Sequence, residues 1–395
     1  MKFKKLSALL LLLFVMFNNS SFAQQKTGFL LVDEQLLAKS KELLKQGDKE
    51  ASAKINTIIG RADSALTKGP YSVTFNKTKT APNNDKHDYV SQAPYWWADP
   101  AKPNGLPYIR KDGERNPEIY LLHDRSQLGD MCSAVKQLAF AYYYTGNEKY
   151  AVKAKTLLQT WFIDPPTRMN PNLNYAQYIP GLNDGRGIGI IESRELTVIP
   201  DAIAMLNGSS AFDAKLVNNI KDWFKAFAGW LQTSPNGKDE HSQLNNHGSY
   251  YDVQLIDYSL FTGDKKTAVL LLQNTTIARI EKQFTPEGAQ PLELARTKSW
   301  DYVNMNLYAW CQLAILAGHV NIDLWHQQTA DGRGMKAAVK WLIPYASGEK
   351  KWENQQIAGF EYEQLKFIMD KASAQYPDLK FDEVFKRFPR ELEVE

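Results

Sequence analysis

The chain contains 395 residues, of which 44% are hydrophobic, 23% charged and 12% aromatic. This composition is typical of a folded globular protein and excludes an intrinsically disordered chain. The 47 basic residues barely exceed the 44 acidic ones, so the surface lacks the general positive charge of a nucleic-acid-binding protein.

The first 23 residues have the pattern of a secretory signal peptide. Three lysines precede an apolar run over residues 6–17, and small residues lead up to Ala23. The run is too short for a stable transmembrane helix, and no cysteine follows it that could carry a lipid. We therefore expect cleavage after Ala23 and a single domain over residues 24–395, in a periplasmic or secreted protein without a membrane anchor. Cleavage removes the three lysines and leaves a formal charge near zero.

Hydrophobic residues at helical spacing dominate the rest of the chain, and strand alternation is scarce. Thr-Gly turns at residues 145–147 and 262–264 each separate two predicted helices, which indicates a degenerate repeat of helical hairpins. The sequence therefore predicts an all-α fold, an incomplete α/α toroid of antiparallel hairpins around a cleft. Helical spacing extends over residues 30–68, and further helices are predicted at residues 131–144, 150–162, 196–206, 213–232, 250–261, 267–284, 302–317, 334–346 and 361–374.

Residues 71–117 interrupt this pattern with a stretch rich in Pro, Asn, Asp and aromatic side chains. A loop of this length in a compact protein is usually functional or disordered, and the cluster of Tyr95, Trp96 and Trp97 argues against disorder. Adjacent tryptophans flanked by prolines are typical of a rigid aromatic platform. A hydrophobic plug at the end of the toroid is the alternative.

Asn245, Asn246 and His247 form an unusual polar group at the start of a predicted aromatic helix that includes Tyr250. Asn is a good N-cap residue, because its side chain satisfies free backbone N–H groups in the first turn. Capping explains one asparagine and leaves the other asparagine and the histidine without a structural role. We therefore expect this segment to be functional.

Arg296 and Tyr302 are a second candidate pair. Six residues separate them, so they need not share a helical face, but a turn before the helix would direct both to one point. The alternative is a surface pair of Arg296 with a glutamate, and Tyr302 in the core. Arg194 is a third candidate, either as a clamp for a substrate carboxylate or as part of a structural ion pair.

Several other kinds of site find no support in the sequence. Gly185, Gly187 and Gly189 superficially resemble a nucleotide-binding loop, but no strand precedes them and the third glycine is wrongly spaced. There is no HExxH motif, thiolate cluster or aspartate-rich calcium loop, so no motif requires a metal or another cofactor. Cys132 and Cys311 lie in apolar helical patterns, so we expect buried free thiols rather than a disulfide.

A group of Asn, His, Arg and Tyr without an obvious pair of acids indicates proton abstraction next to a carboxylate. In a polyuronate, the hydrogen on C5 becomes acidic only when the adjoining carboxylate loses its charge, and amide and guanidinium donors bring this about. Nearby Arg and His would favour the phenolate of Tyr302 and lower its pKa. The phenol would then return the proton to the leaving O4. The expected partner is an anionic polysaccharide.

Four segments, at residues 86–89, 93–97, 245–247 and 293–302, together resemble the alginate lyase superfamily of helical-toroid polysaccharide lyases. The resemblance extends over residues 71–317. It implies metal-independent β-elimination of a polyuronate, which leaves 4,5-unsaturated uronate ends, and it makes the long aromatic loop a lid over the cleft.

On this resemblance Asn246 and Arg296 neutralise the carboxylate, Tyr302 is both base and acid, and His247 is a base or orients the other groups. The six-residue spacing from Arg296 to Tyr302 is one shorter than in the long-known periplasmic mannuronate lyases. It is closer to the Bacteroidetes-type alginate or glucuronan lyases, polysaccharide lyase family 38, so mannuronate, guluronate and glucuronate all stay open. Substrate contacts are expected from Lys86, His87, Tyr95, Trp96, Trp97, Arg194, Asn245 and Tyr250.

Two other functions fit parts of the sequence. A toroidal glycoside hydrolase needs two carboxylates about 5–9.5 Å apart across a cleft. A glycan-binding protein built from helical hairpins is the other, although cell-surface binders of that kind usually carry a lipidated cysteine, which is absent here. The carboxylates that a hydrolase could use are Asp184, Glu192, Asp252 and Glu293.

Overall fold

The structure is a computed structural model that describes residues 28–395, and the predicted signal peptide lies outside them. Within the described residues, no helix combines the length and the apolar character needed to cross a membrane. The α-helices of this range are α1 Glu34–Lys45, α2 Lys49–Leu66, α3 Asp124–Thr145, α4 Glu148–Phe162, α5 Val198–Met205, α6 Ala214–Thr233, α7 Pro235–Ser242, α8 Asn246–Thr262, α9 Lys265–Leu271, α10 Ile277–Gln283, α11 Pro291–Leu294, α12 Ser299–Gly318, α13 Met335–Ser347, α14 Glu363–Gln375 and α15 Asp382–Arg387.

The helices pack as an incomplete α/α toroid, which confirms the predicted fold class. α2 packs on α3, α3 on α4 and α5, α6 on α8, and α8 on α12. Because α6, α7, α9 and α12 surround α8, each of its residues from Gly248 to Ser259 is buried. A helix enclosed in this way needs no polar face. The first turns of α8 and α12 carry the candidate residues of the predicted active site.

The two Thr-Gly turns form as predicted, and the same local chemistry makes both. Gly146 and Gly263 end α3 and α8 in the left-handed region, at φ 66° and 87°, a conformation that glycine adopts without steric cost. Asn147 and Asp264 follow, and their side chains cap the next helix. The repeated Thr-Gly motif therefore specifies the end of one helix and the start of the next.

Several predicted helical regions differ from the observed helices in their bounds. The helix predicted over residues 131–144 begins seven residues earlier, at Asp124. The region over residues 30–68 is broken after α1, where Gly47 has φ 76°. The helix predicted over residues 196–206 begins at Val198, since the residues before it form 3₁₀ turns. The helix predicted over residues 267–284 is interrupted by a π-helical turn.

The long loop over residues 71–117 is structured, and it contains three of the four short strands in the described chain. β1 pairs in parallel with β4, and β2 pairs with β3 as an antiparallel hairpin. We call residues 95–112 the aromatic hairpin, because it carries Tyr95 and the two tryptophans. The strands are β1 Val90–Gln92, β2 Trp96–Trp97, β3 Ile109–Arg110 and β4 Tyr175–Tyr178.

Residues 391–394 join the first helices to the last ones. The Glu393 carbonyl accepts a hydrogen bond from Ser40 Oγ of α1 at 2.7 Å, and the Val394 carbonyl accepts one from the Tyr144 hydroxyl of α3 at 2.7 Å. An ion pair joins Lys54 of α2 to Glu391 at 2.8 Å. These contacts hold residues 391–394 against α1, α2 and α3, and we call this segment the clasp.

Cys132 in α3 and Cys311 in α12 are both free and buried, as predicted. Burial raises the pKa of both thiols. Since the thiolate is the reactive form of cysteine, neither thiol is activated for chemistry.

Candidate active site

Tyr302 lies in the first turn of α12, and two side chains hold its hydroxyl. Arg296 Nη2 donates to Tyr302 Oη at 2.8 Å, and Tyr302 Oη donates to the hydroxyl of Tyr95 at 3.0 Å. The guanidinium also covers the Tyr302 ring, with Cζ 3.8 Å from the ring centroid, a cation–π contact. The turn between α11 and α12 thus directs Arg296 and Tyr302 to one point, and the aromatic hairpin adds Tyr95.

The pKa of Tyr302 is raised, although the sequence led us to expect a lowered value. Burial is the largest cause and Tyr95 adds to it, while the charge of Arg296 opposes both. A buried phenolate loses hydration that a single cation does not replace. Arg296 is also shared with a carboxylate. The phenol of Tyr302 is therefore neutral in this structure.

Asp112, at the end of the aromatic hairpin, pairs with one edge of Arg296. Arg296 Nε donates to Asp112 Oδ2 at 3.1 Å, and Nη2 donates to Oδ1 at 2.8 Å. Burial raises the pKa of Asp112, but the hydrogen bonds and charge of Arg296 outweigh burial and hold this pKa below its usual range. Asp112 is therefore ionised and links the hairpin to the turn before α12.

Asn246, the first residue of α8, is fully buried and bound to Glu293 of α11. Its backbone N–H donates to Oε1 at 2.7 Å and its Nδ2 to Oε2 at 2.8 Å, while its Oδ1 has no partner. A buried amide oxygen without a partner is rare and calls for a functional explanation. Burial raises the pKa of Glu293, and the bonds from Asn246 and the charges of Arg296 and His247 oppose this rise. Glu293 therefore connects the start of α8 to the Arg296 turn.

The two neighbours of Asn246 have different environments. The side chain of Asn245 caps α8 by accepting a hydrogen bond from the His247 backbone N–H at 3.2 Å, so capping accounts for this asparagine. His247 Nδ1 lies 2.8 Å from Oε1 of the fully buried Glu240. Burial raises the pKa of Glu240, and His247 opposes that rise. A carboxylate at Nδ1 fixes the orientation of the imidazole and directs Nε2 to another partner.

Lys86 and His87 precede β1 and lie beside a different loop. His87 Nδ1 is 2.7 Å from the Arg168 carbonyl, and the His87 carbonyl accepts from the Asn170 backbone N–H at 3.0 Å. Lys86 is exposed. Over residues 28–395 no hydrogen bond joins either side chain to the Arg296–Tyr302 pair.

Trp96 and Trp97 form strand β2 of the aromatic hairpin, and both are partly exposed. Trp97 Nε1 donates to the Glu114 carbonyl at 3.0 Å, and the ammonium of Lys111 lies 5.1 Å from a Trp97 ring centroid. The Trp96 carbonyl accepts from Asn116 Nδ2 at 2.9 Å. These bonds fix the hairpin and the Trp97 indole, the ammonium of Lys111 lies over the Trp97 ring, and both indoles keep part of their surface exposed.

Arg194 and Tyr250 lie together, but apart from the Arg296–Tyr302 pair. They line a cavity of about 810 Å³ whose lining residues include neither Arg296 nor Tyr302. Arg194 Nη1 donates to the Ile191 carbonyl at 3.1 Å, and its Cζ lies 5.5 Å from the Tyr250 ring centroid. The structure thus places Arg194 away from the point where the carboxylate would meet Arg296.

Arg186 is a buried cation that we did not single out from the sequence. Its Nη2 donates to Gln177 Oε1 at 2.7 Å, and its Nε is buried without a partner. Burial lowers the pKa of Arg186 to about 10, and the charge of Arg110 contributes. Arg186 therefore adds positive charge beside the aromatic hairpin, whereas the charge of Arg110 is balanced by Asp112 at 2.7 Å.

The glycines around Arg186 were the only feature of the sequence that drew attention to this segment, and the structure gives them a role in packing. A Cβ at Gly185 would lie 2.1 Å from the Asn174 carbonyl oxygen, and one at Gly189 would lie 2.5 Å from Ala176 Cβ. These positions need glycine because the backbone passes directly against β4. Their role in packing agrees with the rejection of a nucleotide loop.

The carboxylates considered for a hydrolase do not form a free pair. Asp184 is exposed, and the other three are buried and bound to protein groups. Glu192 accepts a hydrogen bond from the Tyr89 hydroxyl at 2.9 Å, and Asp252 pairs with Arg279 at 2.8 Å. Glu293 binds Asn246 at the start of α8. In the part of the chain that the structure describes, no group of three or more His, Cys, Asp or Glu is arranged to hold a metal ion.

Comparisons with known proteins identify the family and the fold of the chain. The sequence profile of the family described as alginate lyase matches residues 72–352. A solved alginate lyase from Bacteroides ovatus is 41% identical, with a TM-score of 0.87, and the match covers 91% of this chain and 95% of that one. A comparison with curated protein sequences finds no significant match.

Two more distant structures share the fold. Alginate lyase A1-III from Sphingomonas species A1 is 17% identical, with a TM-score of 0.55 and coverage of 86% and 87%. Its histidine-to-alanine variant complexed with a tetrasaccharide is also 17% identical, with a TM-score of 0.58 and coverage of 90% and 91%. The family profile spans more than half of the chain, and the Bacteroides ovatus enzyme matches nearly all of it. The chain therefore belongs to the alginate lyase family, and it is a polysaccharide lyase.

Proposed function

We propose that this lyase cleaves alginate by β-elimination at the Arg296–Tyr302 pair. The observation that carries the proposal is the hydroxyl of Tyr302, which Arg296 and Tyr95 hold at 2.8 and 3.0 Å. The 41% identical protein from Bacteroides ovatus is named an alginate lyase, and this supports alginate as the first substrate to test.

Positive charge around the aromatic hairpin supports an anionic polysaccharide as the partner. Arg110 in β3 and the buried Arg186 lie close enough for their charges to interact, and Lys111 adjoins the indole of Trp97. Indole faces next to cations suit a sugar ring that carries a carboxylate. The aromatic hairpin is thus proposed as the lid that covers the bound chain.

Arg296 is the proposed donor that neutralises the uronate carboxylate. Once the carboxylate charge is balanced, the carbanion left on C5 is stabilised, and a single such donor contributes on the order of 3–4 kcal/mol to the transition state. Asn246 is the second proposed donor, through the N–H of Nδ2 that does not bond to Glu293; its unpartnered Oδ1 is an acceptor and takes no part in neutralisation. Since Asn246 is fully buried, a contact with substrate requires this amide to move.

Proton transfer is proposed to use both His247 and Tyr302. His247 receives the proton from C5 through Nε2, while Glu240 holds Nδ1 and stabilises the imidazolium that forms. Tyr302 donates its proton to O4 of the leaving sugar as the C4–O4 bond breaks. The raised pKa of Tyr302 favours this acid role, because the phenol keeps its proton until the leaving group needs it. A base role for Tyr302 requires the phenolate, which is a minor species here.

Purified protein incubated with alginate is expected to release products that carry the ultraviolet absorbance of an unsaturated uronate. Polymannuronate, polyguluronate and glucuronan are assayed in parallel, because their sugars differ in configuration at C5 or at C2 and the relative rates show which configuration the site accepts. New reducing ends without absorbance would mean hydrolysis and would refute β-elimination. Absence of product from all four polymers would refute the proposed function.

The pH dependence of kcat/KM separates the two proposed roles of Tyr302. With Tyr302 as the acid, the rate keeps its plateau up to at least pH 10, since the pKa of the folded phenol lies above its usual value of about 10. The rate falls only as the pH rises through that raised pKa. A rate that instead increases about tenfold per pH unit up to pH 10 would assign the base role to the phenolate. Circular dichroism at each pH checks that the protein stays folded.

A further inference from the structure

The carboxylate of Asp112 occupies one edge of the guanidinium on which the proposed chemistry depends. We propose that Asp112 is a positioning residue that fixes which edge of Arg296 meets the uronate carboxylate, so that Tyr302 keeps its hydrogen bond from the same guanidinium. This inference rests on the proposed function and goes beyond it, because no motif in the sequence indicated Asp112.

The hydrogen bonds of Arg296 show how its edges are divided. Nε and one N–H of Nη2 face Asp112, at 3.1 and 2.8 Å, and Nη2 also donates to Tyr302 Oη at 2.8 Å. Nη1 has no hydrogen-bond partner among residues 28–395, and it is not among the buried polar atoms that lack one. The Nη1 side is therefore the part of the guanidinium left for a substrate carboxylate.

Asp112 is itself held too firmly to act as a movable gate. Its Oδ2 accepts from the Thr297 backbone N–H at 3.3 Å and from Thr297 Oγ1 at 3.2 Å, and Thr297 Oγ1 lies 3.0 Å from the Asp112 carbonyl. The next residue, Gly113, has φ 76°, and a Cβ there would lie only 2.3 Å from Thr297 Oγ1. The hairpin backbone thus passes directly against the turn before α12, and Asp112 stays in place when substrate binds.

Two opposite electrostatic effects follow from this arrangement. The negative charge of Asp112 is shared between Arg296 and Arg110, whose Nη2 lies 2.7 Å from Oδ1, and it weakens the attraction of both cations for an anionic sugar. The same carboxylate prevents the guanidinium from turning its Nε–Nη2 edge to the substrate, a bidentate arrangement that carboxylates favour. Without Asp112 the substrate carboxylate would take that edge instead of Nη1, and the sugar would bind in a different position relative to the Tyr302 hydroxyl. Asp112 therefore weakens binding and improves the orientation of the proton donor.

The Asp112→Asn variant is expected to change kcat and substrate affinity in opposite directions. Its kcat on alginate falls about tenfold to a hundredfold, the size of effect that misplacement of a catalytic group produces. Binding of a saturated alginate oligosaccharide, measured by calorimetry in the Tyr302→Phe background, becomes about two- to fivefold tighter, since a partly exposed charge contributes little to affinity. Changes of opposite sign in kcat and affinity distinguish positioning from a loss of structure.

Thr297→Val is the matched control, because it removes hydroxyl contacts of Asp112 and leaves the Asp112–Arg296 pair intact. It is expected to keep kcat within about twofold of the wild type. Equal kcat in Asp112→Asn and wild type would overturn the inference while the proposed function stands. Parallel losses of kcat and affinity in both variants would also overturn the inference, because Asp112 would then only tether the hairpin. If the wild type itself forms no unsaturated product, the proposed function fails and the inference falls with it.

Discussion

Replacing Tyr302 by phenylalanine is expected to lower kcat by about 10³-fold or more and to leave oligosaccharide binding close to normal. Loss of a general acid typically costs 10²- to 10⁴-fold, and no other hydroxyl in the described site receives a hydrogen bond from Arg296. The change removes one oxygen and keeps the ring that the guanidinium covers. Initial rates of unsaturated-uronate formation and calorimetric affinity measure the two effects separately.

Tyr142→Phe provides the control for this experiment. Tyr142 is a partly exposed tyrosine of α3 whose hydroxyl contacts Glu148 at 3.4 Å and also interacts with Ser209, away from the candidate site, so its loss should leave kcat unchanged. A Tyr302→Phe protein with near-normal kcat would show that the proton donor is another group, and Tyr95 would be the next residue to test. Equal melting temperatures of both variants exclude unfolding as the cause of a lost rate.

Arg296→Ala is expected to lower kcat/KM by about 10²- to 10³-fold, the cost of removing a donor that stabilises developing negative charge. The loss should be larger than for Arg296→Lys, because an ammonium keeps the charge but cannot bind the carboxylate and the phenol in the same fixed geometry. Arg296→Ala also removes one of the two cations that pair with Asp112, the other being Arg110. We therefore expect a lower melting temperature as well, which kcat measured well below that temperature separates from the catalytic effect.

Arg333→Ala is the matched control for Arg296→Ala. Arg333 forms a similar arginine–aspartate pair with Asp331 at 2.8 Å, and it lies outside the candidate site. Its removal is expected to lower stability and to leave kcat unchanged. If Arg296→Ala and Arg333→Ala reduce activity to the same extent, the effect of Arg296 is on stability and its proposed catalytic role is wrong.

Local patterns made the helical architecture predictable. Gly146 with Asn147, and Gly263 with Asp264, specify a helix end and the next helix start within two residues, so neighbouring residues contain all the information needed. The sequence predicts that one of the two asparagines caps α8 and assigns Asn245 to substrate contact, whereas the structure shows that Asn245 is the capping residue. The break at Gly47 was missed, since hydrophobic spacing continues on both sides of it.

The partners of the candidate residues depend on long-range contacts and could not be predicted. Arg296 is separated from Asp112 by 184 residues, and Asn246 from Glu293 by 47. No spacing rule connects side chains at such distances. Burial of Tyr302 under the aromatic hairpin has the same origin, which is why its raised pKa differs from the expectation based on cationic neighbours alone. In the sequence, Arg194 and Arg296 were both candidates to bind the substrate carboxylate, and only the fold shows that Arg194 lies in a different cavity.

The clasp formed by residues 391–394 has a consequence for how the chain folds. Ser40 and Glu393, which it brings together, are 353 residues apart in sequence. Topologies dominated by such distant pairings fold slowly, because the entropy of closing a large loop must be overcome before the contact forms. Early helical hairpins such as α3–α4 can form during synthesis, but the clasp forms only after almost all of the described polypeptide has emerged. Until then the surfaces of α1, α2 and α3 that contact residues 391–394 stay exposed to proteases and chaperones.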